Sequence, residues 1–105
     1  MATEFNSQNF DQAILEPGKV TLIDFYSDGC SPCRAMAPHV DELAKESAEG
    51  VQVGKVNIGD SYDLAMKYKV SMVPTIMVFR DGEIVDRHVG AMSKKQLEEM
   101  IDKNS

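Results

Sequence analysis

Asp28-Gly29-Cys30-Ser31-Pro32-Cys33-Arg34 contains both cysteines of the chain. The residues before it, Val20-Thr21-Leu22-Ile23-Asp24-Phe25-Tyr26, form a nearly continuous apolar, β-branched and aromatic run. Such a run marks a strand covered on both faces. After the cysteines the period becomes helical. Cys33, Met36, Val40, Leu43, Ala44 and Ser47 fall on one face of a helix predicted from Cys30 or Ser31 to about Glu49, with Gly50 as its stop. A C-x-x-C at a strand-to-helix turn puts one sulfur at the positive end of a helix dipole and the other within bonding reach. That arrangement is a reversible two-electron switch.

Working outward, Val51 to Ile58 reads as a second strand. Strand, helix and strand make a parallel unit with a right-handed crossover. Upstream, Thr3 to Leu15 is weakly patterned: a short edge strand, then a helical turn carrying Phe10, Ile14 and Leu15, ended by Pro17-Gly18. Downstream, Asp60 or Ser61 caps a short helix through Tyr68, with Leu64, Ala65 and Tyr68 on one side. Thr75–Phe79 and Ile84–Val89 are strands joined at Asp81-Gly82, a two-residue hairpin signal that makes the pair antiparallel. Ser93-Lys94-Lys95-Gln96 is a capping box opening a last helix with Leu97, Met100 and Ile101 on its apolar face. The order β-α-β-α-β-β-α predicts an α/β fold, a central mixed sheet with helices on both faces. Pro38 is expected to kink the long helix, and Pro74 reads as a strand-start proline.

With 105 residues the chain makes one domain, residues 1–105. Eleven basic and seventeen acidic residues give a net charge of −6. With no Lys/Arg cluster, that balance argues against nucleic acid and anionic membrane as partners. No stretch reaches transmembrane length, and the N-terminus lacks the basic and apolar regions of a signal peptide, so a cytoplasmic protein is expected, and a monomer is expected with it. In a reducing compartment a lone, close Cys pair is more often catalytic or metal-binding than a structural staple. Closing so short a loop would also remove little unfolded-state entropy.

At the helix start, Cys30 lies beside unsatisfied backbone N–H groups, which stabilise a thiolate and hold its pKa below the free-thiol value of roughly 8.5. A Ser31 hydroxyl bond and the Arg34 charge are expected to add to this, with Asp28 opposing them. Pro32 sits at a first-turn position, where it costs no helix bond and stiffens the loop. Cys33, on the apolar face, is expected to be buried and mostly a thiol. The asymmetry assigns Cys30 as attacker of a partner's disulfide and Cys33 as resolver of the mixed disulfide.

Asp24 is a carboxylate inside an apolar strand, so its pKa is expected to rise. It is either the base that takes the proton of Cys33 or a hydrogen-bonded structural residue, with Lys55 a partner under both readings. Metal binding is the competing class for the cysteines, but a closed zinc site would have to recruit both His39 and His88. Haem attachment needs a histidine where Arg34 stands.

Together these residues resemble the thioredoxin family from about Phe5 to the C-terminus. The supporting blocks are Leu22–Tyr26, Cys30–Arg34 with Pro38, Gly54-Lys55-Val56-Asn57, Val73-Pro74-Thr75, Phe79–Gly82 and Val89-Gly90. The resemblance implies a thioredoxin fold and protein-disulfide reductase activity with no bound cofactor, recharged by a thioredoxin reductase. It implies Cys30 as nucleophile, Cys33 as resolver, Asp24 as proton acceptor and Lys55 as its modulator. It makes Pro74 a cis-proline facing the sulfurs. Val73, Val89, Gly90 and Ala91 would then form a flat apolar surface for an extended substrate. The family usually carries Trp-Cys-Gly-Pro-Cys; Gly29 and Ser31 depart from it and are expected to tune the pair. A thiol oxidant or isomerase is the alternative activity, although oxidants commonly carry histidine where Pro32 stands. A binding module using the same apolar surface is the alternative outside redox chemistry.

Overall fold

The structure, a computed structural model, describes residues 2–105. Its elements are β1 (Thr3–Phe5), α1 (Phe10–Ile14), β2 (Val20–Tyr26), α2 (Ser31–Glu46), β3 (Val51–Asn57), α3 (Tyr62–Lys67), β4 (Thr75–Arg80), β5 (Glu83–Val89) and α4 (Lys94–Lys103). They build one five-stranded sheet in the order β1-β3-β2-β4-β5. β1, β3 and β2 run parallel, whereas β4 and β5 are antiparallel to their neighbours. The sheet is mixed, as the strand and turn signals require.

β2 lies at the centre, and every residue from Val20 to Phe25 is buried. Its alternation feeds two cores. Val20 and Leu22 face Met36, Val40 and Leu43 of α2 and Leu97 and Met100 of α4. Ile23 and Phe25 face Phe10 and Ile14 of α1 and Leu64 of α3. The second core is aromatic: Phe10 meets Phe79 edge-on with ring centroids 5.5 Å apart, and Tyr68 meets Phe79 at 5.4 Å. Pairs of this geometry add roughly 0.5–1.5 kcal/mol beyond their buried area.

The weakly patterned N-terminus forms β1 and α1, so β-α precedes the expected order. β1 is held at the edge of β3, and Phe5 lies against Gly54, where a larger residue would not fit. Asp81 and Gly82 both take positive φ (52° and 84°), which makes the two-residue hairpin that joins β4 to β5. At the start of α4 the Ser93 hydroxyl accepts from the Gln96 N–H, and the Gln96 side chain accepts from the Ser93 N–H.

One boundary differs from expectation. α2 stops at Glu46, because Ser47 turns extended (ψ 143°) and its hydroxyl donates to the Ala44 carbonyl. Gly50, with φ +90°, therefore serves the turn into β3 rather than the helix end. α2 continues through Pro38, which is exposed. There the missing N–H leaves a carbonyl that water can satisfy. Among the described residues no helix is long and apolar enough to cross a membrane.

Candidate active site

β2 ends at Tyr26, and the chain reaches α2 through Ser27–Cys30. Asn57 at the end of β3 holds this loop, its side-chain N–H donating to Asp28 Oδ1 at 3.2 Å. Arg34 reaches back to donate to the Asp28 carbonyl at 2.8 Å and to Ser31 Oγ at 3.3 Å. Ser31 Oγ thus accepts from Arg34, and among the described residues it makes no hydrogen bond to Cys30 in the disulfide form. Asp28 likewise has its carboxylate committed to Asn57. Pro32 lies in the first turn of α2.

Cys30 is the N-cap of α2, and its Sγ accepts from the Cys33 backbone N–H at 3.2 Å. A sulfur in that position sits among orphan helix donors at the positive end of the dipole. Cys30 is half-buried, while Cys33 is 3% exposed. The two are joined as a disulfide, with Cα atoms 5.2 Å apart.

Asp24 lies in the centre of the sheet at 3% exposure, and its Oδ1 has no hydrogen-bond partner. Burial pushes its pKa up to about 7, against a lowering by Lys55 and with a further raising by Glu4. Lys55 stands opposite it in register on β3. No Lys55–carboxylate ion pair occurs among the described residues; the ammonium instead lies over the Tyr26 ring, 5.5 Å from its centroid. The structural reading of Asp24 as a hydrogen-bonded or directly paired residue therefore fails for that oxygen. Asp24, Cys33 and Lys55 line a common cavity of about 140 Å³, which has room for water.

The Val73–Pro74 peptide is cis, as the family resemblance implied and strand chemistry alone did not. The Val73 carbonyl oxygen lies 3.7 Å from Cys30 Sγ. Gly90 N–H donates to the Pro74 carbonyl at 2.9 Å, which brings the ends of β4 and β5 together beside the disulfide. Gly90 takes φ +110°, a conformation that suits glycine. The Met92 N–H donates to Met36 Sδ at 3.3 Å and ties the following segment to α2. Val73 is half-buried, Pro74 buried, and Ala91 exposed. Val89 is 51% and Met72 65% exposed. Gly29 adds no bulk to this rim: a Cβ there would meet nothing within 4 Å.

No group of three His, Cys, Asp or Glu side chains is placed to hold a metal ion among the described residues, and His39 and His88 are both exposed.

The sequence that builds this site has counterparts in known proteins. The family model described as thioredoxin matches residues 1–103. The chain belongs to the thioredoxin family. It is 38% identical to thioredoxin 1 of Synechococcus elongatus, over 99% of this chain and 97% of that protein. It is 37% identical to the thioredoxin of Buchnera aphidicola subsp. Acyrthosiphon pisum, over 96% of this chain and 94% of that protein. It is 38% identical to the thioredoxin of Pseudomonas aeruginosa, over 91% and 89%. The thioredoxin fold and the joined Cys30–Cys33 pair make the chain a thiol–disulfide oxidoreductase.

Glu4 acts on this site and was not singled out by the sequence. The only available signal was alternation in a three-residue edge strand, which does not say what a side chain meets across two neighbouring strands.

Proposed function

We propose that residues 1–105 work as one domain that reduces protein disulfides. The observation that carries this reading is the asymmetry of the pair: a half-buried sulfur capping α2 and a buried sulfur behind it. In the reduced state the Cys30 thiolate attacks one sulfur of a substrate disulfide, and the other sulfur leaves as a thiolate. Asp24 takes the Cys33 proton through the shared cavity, and Lys55 modulates that step. The Cys33 thiolate then attacks Cys30 Sγ, expelling the second substrate thiolate and leaving the Cys30–Cys33 disulfide. Two electrons have passed to the substrate. A thioredoxin reductase returns them, and no prosthetic group takes part.

Val73, Pro74, Val89, Gly90 and Ala91, with Met72, form the surface on which an extended substrate segment lies. Gly29, Ser31, Pro32 and Arg34 tune the pair through loop shape and polarity. The protein works as a monomer in the cytoplasm, a compartment reducing enough to keep such a pair in use.

The test uses two variants. Cys33→Ser is expected to accumulate a mixed disulfide with a model disulfide protein, and Cys30→Ser to form none. Trapping through Cys33 in the Cys30→Ser variant would overturn the assignment. A reduction potential near the general thioredoxin reference of roughly −270 mV fits an electron donor, and one near roughly −120 mV would make the protein an oxidant. Asp24→Asn is expected to slow reduction at neutral pH; an unchanged rate removes Asp24 from the mechanism.

A further inference from the structure

Glu4, Lys55 and Asp24 stand in one row across the sheet. Glu4 pairs with Lys55 between β1 and β3, and Lys55 pairs with Asp24 between β3 and β2. Residues opposite each other in register present their side chains on the same face. For this row it is the face covered by α2 and α4.

Tyr26, two residues past Asp24, links the row. Its hydroxyl donates to Glu4 Oε1 at 2.7 Å, and its ring lies under the Lys55 ammonium. The remaining titratable or charged groups around Asp24 are Cys33 and Arg34 on α2 and Asp28 beyond the strand. Its β4 neighbour, Ile76, carries no charge. Arg34 and Asp28 are held by their own polar partners. Lys55 is therefore the cation available to Asp24, and it stands between that carboxyl and Glu4.

We propose that Glu4 is a positioning residue for disulfide exchange: anchored by Tyr26 at the edge of the Glu4–Lys55–Asp24 row, it competes with the buried Asp24 carboxyl for the one ammonium that stands between them. One ammonium compensates two carboxylates less completely than one. The exposed carboxylate of Glu4 is screened by solvent, while the Asp24 carboxyl, at 3% exposure, depends more on the one cation that faces it. The strand register thus connects an exposed edge-strand residue to the proton acceptor of the redox pair. The inference rests on the reading of Asp24 as that acceptor.

The experiment follows the Asp24 side-chain carboxyl by carbon NMR through a pH titration of the oxidised protein. The natural protein is compared with Glu4→Gln and Glu4→Lys. Gln keeps an oxygen for the Tyr26 hydroxyl and removes only the charge. The expected midpoints fall in the order Glu, Gln, Lys, with smaller spacing at high salt because Glu4 is exposed. The ratio of the reduction rate at pH 6 to that at pH 8 is expected to rise roughly twofold in Glu4→Gln, as more Asp24 is ionised at the lower pH. Phe5 and Val56 shifts in the same spectra report whether β1 stays paired. With β1 paired, coincident midpoints in the three proteins, or a reversed order, would overturn the proposal. If the midpoints move as expected but Asp24→Asn reduces disulfides at the natural rate, the electrostatic coupling stands and the acceptor role falls.

Discussion

Asp24 and Lys55 are register partners on adjacent parallel strands, yet the lysine ammonium lies over Tyr26 and Asp24 Oδ1 has no hydrogen-bond partner. A carboxyl in that position keeps its proton to unusually high pH, because burial disfavours its charged form and no protein group donates to that oxygen. The same fact that fits it to accept a proton at neutral pH makes it a liability for stability.

The pH dependence of folding is expected to show this directly. Asp24 titrates near 7 in the native state against an ordinary value of 3.8. The folded chain therefore binds the proton more tightly than the unfolded chain. Its stabilising contribution is full below the unfolded value and is lost as pH rises toward 7. At about 1.4 kcal/mol per unit, the loss across that window is roughly 4 kcal/mol. Urea unfolding of oxidised Asp24→Asn is expected to show stability relative to the natural protein that grows between pH 4 and pH 8 by up to that amount. A constant difference would mean that Asp24 is ionised throughout.

Gly54→Ala is expected to loosen the N-terminal edge. Its Cβ would lie 2.6 Å from Phe5 Cδ2 and 3.0 Å from the Thr3 carbonyl oxygen, inside a closed ring and backbone contact. Overpacking of this kind costs about 1–3 kcal/mol. Thermal unfolding reads the loss, and faster amide exchange at Phe5 would locate it in β1. A variant as stable as the parent would show that Phe5 repacks freely.

Gly29→Ala should behave in the opposite way. Its Cβ would enter open space, and Gly29 is not among the residues with positive φ. Restricting the unfolded chain then stabilises the protein by up to about 1 kcal/mol. A measured loss greater than that would reveal a strained loop beside the cysteines.

Ser93→Ala removes the hydroxyl that caps α4 and breaks the reciprocal bond to Gln96. A stability loss of about 1 kcal/mol is expected from denaturant unfolding. Redox turnover is expected to stay unchanged, since the cap lies outside the cysteine site. A matching loss of turnover would mean that α4 helps to hold the Met92 segment against α2.

Much of this molecule was legible in the chain because the signals were local. The Val20–Tyr26 run, the Asp81-Gly82 turn and the Ser93 capping box each state a backbone conformation within a few residues. The C-x-x-C spacing likewise implies that a helix start brings the two sulfurs together. The end of α2 was less legible, because Ser47 leaves the helix where Gly50 gave a stronger but misplaced stop signal. β1 and α1 were faint for a different reason. Their positions depend on Phe5 and Phe10 meeting partners far along the chain, at Gly54, Phe25 and Phe79.

By itself the sequence determined that a strand delivers two cysteines to a helix start, that Cys33 faces the apolar side, and that Asp24 is an expensive residue to bury. Periodicity and residue chemistry are properties of the local chain. Only the tertiary structure decided that β1 joins the sheet at β3 and that β4 pairs with β2, that the Val73 carbonyl lies 3.7 Å from Cys30 Sγ, and that Lys55 turns toward Tyr26 while Glu4 bonds to that tyrosine from the edge. Those outcomes depend on register between strands remote in sequence, because a buried charge responds to the partners that folding brings within a few ångströms.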